Sequence, residues 1–244
     1  MKTAALWMVG GMMALTSCHM SMNSFGPAIE PSSNIVEKEY KLDAFKEVTT
    51  RVVANVKLVQ DEDKDGFVVL SAPDNYIELF DFNSNDSTLD INFSKDNINI
   101  DPKHVNITVY TSNLTKVRNT GAATVSLDSL DTDILDVENS GVGAFRLNKI
   151  LADMVYVKCS GVGDISINGE TQEAELNCSG VGSINAKDLK SNNIKANVSG
   201  VGGITCHATE FIDGKVTGVG SLKYAGHPQQ RHLNKPVTGG ISEI

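Results

Sequence analysis

Four cysteines, five histidines and one run of alternating acids are the parts of this 244-residue chain whose side chains could do chemistry. Cys18 closes the string Leu15-Thr16-Ser17-Cys18, after Lys2 and an apolar run from Ala4 to Leu15. That run is too short to span a bilayer and has the length of a secretory leader core. The four-residue string fits a bacterial lipobox, where small residues admit the peptidase and the cysteine thiol takes a diacylglycerol. Residues 1–17 are thus the expected leader and Cys18 the expected lipid attachment site. His19 follows where an aspartate would signal retention in the inner membrane, so the expected location is the cell envelope, on the outer membrane. Membrane attachment would be through the lipid alone, since no later apolar run is long enough to cross.

The other reactive residue types lead elsewhere. Asp61-Glu-Asp63-Lys-Asp65-Gly66 matches the first half of a calcium loop, but Ala72 stands at the twelfth position, which requires a bidentate glutamate. The segment reads as an acidic turn. His19, His104, His207, His227 and His232 show no ligand spacing. No catalytic, cofactor-binding or metal-binding residues are expected, and no cofactor.

A repeat must position whatever remains. Asn119-Thr-Gly-Ala-Ala, Asn139-Ser-Gly-Val-Gly, Cys159-Ser-Gly-Val-Gly, Cys178-Ser-Gly-Val-Gly, Val198-Ser-Gly-Val-Gly and Val216-Thr-Gly-Val-Gly recur, with a weaker Val237-Thr-Gly-Gly. The hydroxyl residues Thr120, Ser140, Ser160, Ser179, Ser199, Thr217 and Thr238 are spaced by 20, 20, 19, 20, 18 and 21. A constant period of this kind marks a solenoid. Apolar residues alternate on both sides of each turn, as at Val155, Val157 and Cys159 before it and Ile165 and Ile167 after it. Each repeat is therefore one coil of two or three short strands. The expected fold is all-β: a right-handed parallel β-helix with coils of about 20 residues from about 115 to 240.

The columns this register creates can be read in advance. Arg118, Glu138 and Lys158 would stack outward, as would Lys116, Asp136, Tyr156, Glu175, Lys195 and Asp213; alternating charges on neighbouring strands favour each other. The inward column at the turn reads Asn119, Asn139, Cys159, Cys178, Val198 and Val216. Stacked asparagines can hydrogen-bond along the axis. Cys159 and Cys178 would be close enough for a disulfide, but are read as buried thiols acting as small hydrophobes. Cys206 falls in another column.

Before the repeat, residues 18–36 are polar, contain two prolines and show no period, as a flexible tether would. Residues 37–244 read as a single domain. Its first part, to about residue 118, alternates as Val52-Val-Ala-Asn-Val-Lys-Leu-Val, Tyr76-Ile-Glu-Leu-Phe and Val105-Asn-Ile-Thr-Val-Tyr. The expectation is hairpins that cap the open end of the solenoid and lead into its first coil, because a bare coil end is an unpaired edge.

Phe45-Lys-Glu-Val, the stretch from Val105 to Ala123, the Ser-Gly-Val-Gly repeats and Gly220-Ser-Leu-Lys-Tyr-Ala-Gly-His-Pro together resemble the head GIN domain family of putative autotransporter adhesins. The resemblance covers roughly residues 38–240. It implies a β-helix-like envelope domain and, by the family's name, adhesion; it brings no catalytic residues.

Composition narrows the partners. Lys+Arg is 21 against Asp+Glu 30, a formal net charge of −9, and aromatics are only 6%. Without a basic patch or a stacking platform, nucleic acid is excluded as a partner. One surface then stands out. After each turn the outward columns read Thr124, Ala144, Asp164, Ser183, Gly203, Ser221 and Ser126, Arg146, Ser166, Asn185, Thr205, Lys223. This flat strip of hydroxyls and amides is the candidate binding face, open to a glycan, a surface protein or another protomer. The sequence thus points to a lipid-anchored adhesion or binding module. A self-associating structural protein and a polysaccharide-cleaving β-helix enzyme are the alternatives.

Overall fold

The structure, a computed structural model, describes residues 26–85, 87–234 and 239–244. The expected leader, the lipobox with Cys18 and the last repeat hydroxyl, Thr238, lie outside these residues. The repeat occupies strands β10 (Leu130–Asn139), β11 (Val142–Cys159), β12 (Ile165–Cys178), β13 (Val181–Val198), β14 (Val201–Val216) and β15 (Val219–Ala225). These are numbered in chain order after the nine strands that precede them.

Burial along β11 shows how one coil is built. Phe145 and Leu147, then Ile150 and Ala152, then Val155, Val157 and Cys159 point inward. Side chains alternate with period two in a strand, so the slip in phase between runs marks a corner. One corner falls at Lys149, where φ is +48°. β13 repeats the scheme with Ile184 and Ala186, Leu189 and Ser191, and Ile194, Ala196 and Val198. A coil therefore has a post-turn face, a short third face and a pre-turn face, closed by the Ser-Gly-Val-Gly turn. Adjacent coils pair in parallel and in register, as along Val137, Val157, Leu176 and Ala196. The result is an all-β solenoid of about six turns.

The turn glycines answer to crowding between coils. Gly163 has φ +132°, and a Cβ there would overlap the Gly143 carbonyl oxygen. The inward column is buried throughout: Asn119, Asn139, Cys159, Cys178, Val198 and Val216 are each at most 2% exposed. Burying a side chain such as Leu147 contributes about 1.5–3 kcal/mol, and one continuous core from Phe45 to Tyr224 repeats this in every coil.

The N-terminal part contains the expected capping strands and adds parallel strands to them. Its strands are β1 (Ile35–Lys41), β2 (Glu47–Thr50), β3 (Val53–Gln60), β4 (Phe67–Pro73), β5 (Phe80–Asn85), β6 (Thr88–Phe93), β7 (Asn106–Thr111), β8 (Lys116–Asn119) and β9 (Ala122–Leu127). The antiparallel pairs β1–β4, β4–β7 and β5–β6 do close the end. But β2 lies parallel between β6 and β8, and β3 parallel between β7 and β9. Residues 47–60 thus supply the pre-turn and post-turn strands of a further coil, set between the β6–β7 strands and the β8–β9 strands. Its turn, Thr50-Arg51-Val52, has no glycine to announce it. Thr120 N and Ala122 N nevertheless donate to Thr50 O at 2.9 Å and Val52 O at 3.0 Å, as in the repeat turns.

At the other end, β16 (Gln230–Asn234) and β17 (Gly240–Glu243) pair in parallel with β14 and β15. Glu243 fastens this end: its carboxylate lies 3.0 Å from His227 Nδ1 and 2.8 Å from Arg231.

Candidate functional site: the faces and edge of the solenoid

Strand pairing places the predicted strip where its columns require. Ser126, Arg146, Ser166, Asn185, Thr205 and Lys223 are consecutive register partners down the post-turn face. Beside them Thr124 pairs with Ala144, and Ser183, Gly203 and Ser221 pair in turn. Asp164 joins this second column by accepting from Ser183 N at 3.0 Å and Ser183 Oγ at 2.6 Å. A shallow hollow of about 560 Å³ opens over its C-terminal half, lined by Ser183, Asn185, Lys187, Thr205 and Lys223 among others. Thr124, Arg146, Asp164 and Ser166 continue the face outside that hollow.

The strip is longer than the sequence reading made it. Asn55 pairs with Thr124 and Asn106, and Lys57 with Ser126 and Thr108. The Asn55 amide donates to Asn106 Oδ1 at 3.3 Å. The signal was present in Val53-Ala-Asn-Val-Lys-Leu, which alternates as Ala122-Ala-Thr-Val-Ser-Leu does.

Within the turn, the inward polar groups are used by the fold. Asn119 Nδ2 donates to Asn139 Oδ1 at 3.0 Å and to Val142 O at 3.1 Å, and Asn139 Nδ2 donates to Gly143 O at 3.2 Å. Cys159 and Cys178 replace the asparagines in the next two coils as stacked, buried, free thiols. Their Sγ atoms lie 3.5 Å from Gly163 O and 3.4 Å from Gly182 O. The hydrogen bond to Cys178, aided by burial, raises the pKa of the Cys159 thiol. Burial pushes Cys206 up to about 12. Cys159 and Cys206 therefore stay protonated, and all three buried thiols pack as core.

The predicted charge ladder holds over its first coils and then lapses. Lys116 Nζ lies 2.8 Å from Asp136, and Glu138 has both Arg118 and Lys158 at 3.3 Å. Beyond Tyr156 the alternation stops pairing: Lys195 comes only to 4.0 Å from Glu175, and Asp213 makes no ion pair among the described residues. The acidic turn at residues 61–66 is held by its own backbone. Asp61 Oδ1 accepts from Asp63 N at 3.0 Å and Lys64 N at 3.2 Å, and Asp65 Oδ1 accepts from Ser112 N at 3.0 Å.

A feature absent from the sequence reading is the turn edge itself. Val142, Val162, Val181, Val201 and Val219, the valines of the motif, stack coil on coil and are 50–69% exposed. At about 4.8 Å per coil they form an apolar ridge about 19 Å long.

Together these features define a class of protein: a single-sheet β-solenoid with glycine-stacked turns, polar open faces and an apolar turn edge. The chain belongs to the head GIN domain family, described as putative auto-transporter adhesin, whose pattern matches residues 44–228. A solved putative adhesin from Bacteroides fragilis is 34% identical, with a TM-score of 0.85 over 88% of this chain and 100% of its own. A putative lipid binding protein from Parabacteroides distasonis, 20% identical, shares the fold with a TM-score of 0.69 over 89% of this chain and 99% of its own. A putative adhesin from the same organism, 19% identical, gives 0.65 over 89% and 100%. No curated protein matches the chain.

Proposed function

We propose that this protein is a lipid-anchored envelope protein whose solenoid serves as a non-catalytic binding and adhesion module. The post-turn face carries the reading. It presents two in-register columns of mostly short polar residues, interrupted by Ala144 and Gly203 and by the longer Arg146 and Lys223, so an extended partner meets donors and acceptors in successive coils. Its acid among the strip residues, Asp164, is tied to Ser183, whereas glycoside cleavage needs two carboxylates converging on one bond. The family description and the adhesin names of its structural neighbours support adhesion, and the lipobox ending in Cys18 supports the anchor.

Two experiments test this. A palmitate analogue fed to cells labels the wild type and not Cys18→Ala; labelling of both, or of neither, refutes the anchor. On a glycan and surface-protein array the purified protein gives hits that Asn185→Glu and Thr205→Glu abolish. If no hit is lost on either change, the face is refuted. Gly203 is a poorer probe, because a Cβ there would meet Ser221 O at 2.9 Å.

The valine ridge favours a second reading, self-association through the turn edge. Sedimentation decides it: an oligomer that dissolves when Val162, Val181 and Val201 become threonine supports self-association, and a monomeric wild type excludes it.

A further inference from the structure

The pre-turn face holds a second concavity, where the charge ladder lapses. Two outward columns border it. Met154, Glu173, Asn193 and Phe211 are successive register partners along the corner, and Tyr156, Glu175, Lys195 and Asp213 lie beside them. They enclose a trough of about 340 Å³. Phe211 and Asn193 also line a further hollow of about 460 Å³, together with Glu210, Gln229 and Gln230.

Aromatic rings stand at both ends of the trough. Tyr156 is 38% exposed, unusual in a chain with so few aromatics. Phe211 is fixed edge-on against His232, with centroids 5.5 Å apart and planes at 87°. Three coil spacings separate the two, about 14 Å. Of the polar groups between them, Glu175 accepts from Asn177 Nδ2 at 3.0 Å, and the others are largely uncommitted. Glu173, Asn193 and Asp213 make no side-chain hydrogen bond or ion pair among the described residues, and Lys195 has only the 4.0 Å approach to Glu175. One position earlier along the chain the column is closed on itself: Asn192 donates to Gln172 at 2.9 Å, and Thr209 donates to Asn192 at 3.3 Å. Structure thus satisfies one column and leaves its neighbour free to bind.

We propose that this trough binds an uncharged hexopyranosyl oligosaccharide. An aromatic face carries negative charge density and attracts the positively polarised C–H groups of a pyranose face. Carboxylate, amide and ammonium groups between the rings accept from and donate to the hydroxyls. The coil spacing is close to the length of one pyranose in an extended chain, so successive sugars meet successive coils. Three carboxylates against one lysine turn away uronic acids and sulfated sugars. The inference rests on the binding-module reading but uses a different face, so each can fail alone.

The test is saturation-transfer NMR and calorimetry on the purified protein with cellohexaose, maltohexaose and mannohexaose, and with hexagalacturonate as the acidic control. At least one neutral hexasaccharide binds and is recovered intact, and hexagalacturonate does not bind. Tyr156→Ala and Phe211→Ala each weaken binding about tenfold or more. Tyr156→Phe, which keeps the ring, and Asn185→Glu on the post-turn face leave it unchanged. The proposal is overturned if no neutral hexasaccharide binds, if either alanine variant binds as the wild type does, if Asn185→Glu weakens binding equally, or if the acidic control binds better. Array hits that respond only to Asn185→Glu would leave the module standing without the trough; shortened oligosaccharide would contradict the non-catalytic reading.

Discussion

Residues 47–60 and residues 140–216 build the same coil from different sequences. In the repeat, glycine occupies the positions where one turn presses on the next, and Gly163 takes a backbone conformation that side chains rarely adopt. In the first coil the turn is Thr50-Arg51-Val52, and Ala54 stands in the column that leads through Ala123 to Gly143. Arg51 pairs with Asp90 on the neighbouring strand instead. The inward residues and coil-to-coil hydrogen bonds are common to both. Those features fix the coil; the glycine motif answers only to close stacking of identical turns, and so carries structure rather than binding.

The sharpest contrast to break is the glycine column. Gly163→Ala forces a strained φ costing about 1–3 kcal/mol, with overlap on Gly143 adding to it. Ala123→Gly, in the same column, costs about 1 kcal/mol or less. Denaturant midpoints compare them, and equal losses would remove the distinction between the two kinds of turn. Next comes the inward column. Asn139→Ala leaves Gly143 O without its donor and Asn119 without its acceptor, a loss of about 1–3 kcal/mol. Cys178→Val copies what Val198 already does one coil on, and costs less than about 1.5 kcal/mol. Smaller still, Glu138→Gln weakens two half-exposed ion pairs and costs about 0.2–1 kcal/mol, fading in high salt.

Acid should loosen the C-terminal end before the repeat coils. The His227 hydrogen bond, with Arg231 beside it, lowers the Glu243 pKa below its ordinary 4.5. Its stabilisation is therefore complete above about pH 4.5 and fades as pH falls through the lowered folded value. Hydrogen exchange should show β17 losing protection in that range while β12 and β13 keep theirs. Simultaneous loss would show that the Glu243 contacts do not hold this end.

The solenoid was legible wherever period and alternation agreed: the turns, the inward column from Asn119 to Val216 and the strip from Thr124 to Lys223 all lie where their spacing put them. The first coil was not, because without a glycine Thr50-Arg51-Val52 looks like continuous strand. Nor was the trough. Tyr156 and Asp213 fell in a column read as a charge ladder, and the shortfall in pairing depends on side-chain reach. Phe211 joins the corner column only through an irregularity of register after Ser191, which no count along the sequence reveals.

If the open faces carry binding and the turn edge does not, substitutions on the two should part company. One array measurement tests this directly, with the wild type, Thr205→Glu, Tyr156→Ala and Val181→Thr side by side. The wild type and Val181→Thr should give hits, with hits lost on Thr205→Glu or on Tyr156→Ala according to the face each ligand uses. Hits lost with Val181→Thr and kept by both face variants would contradict binding by the faces.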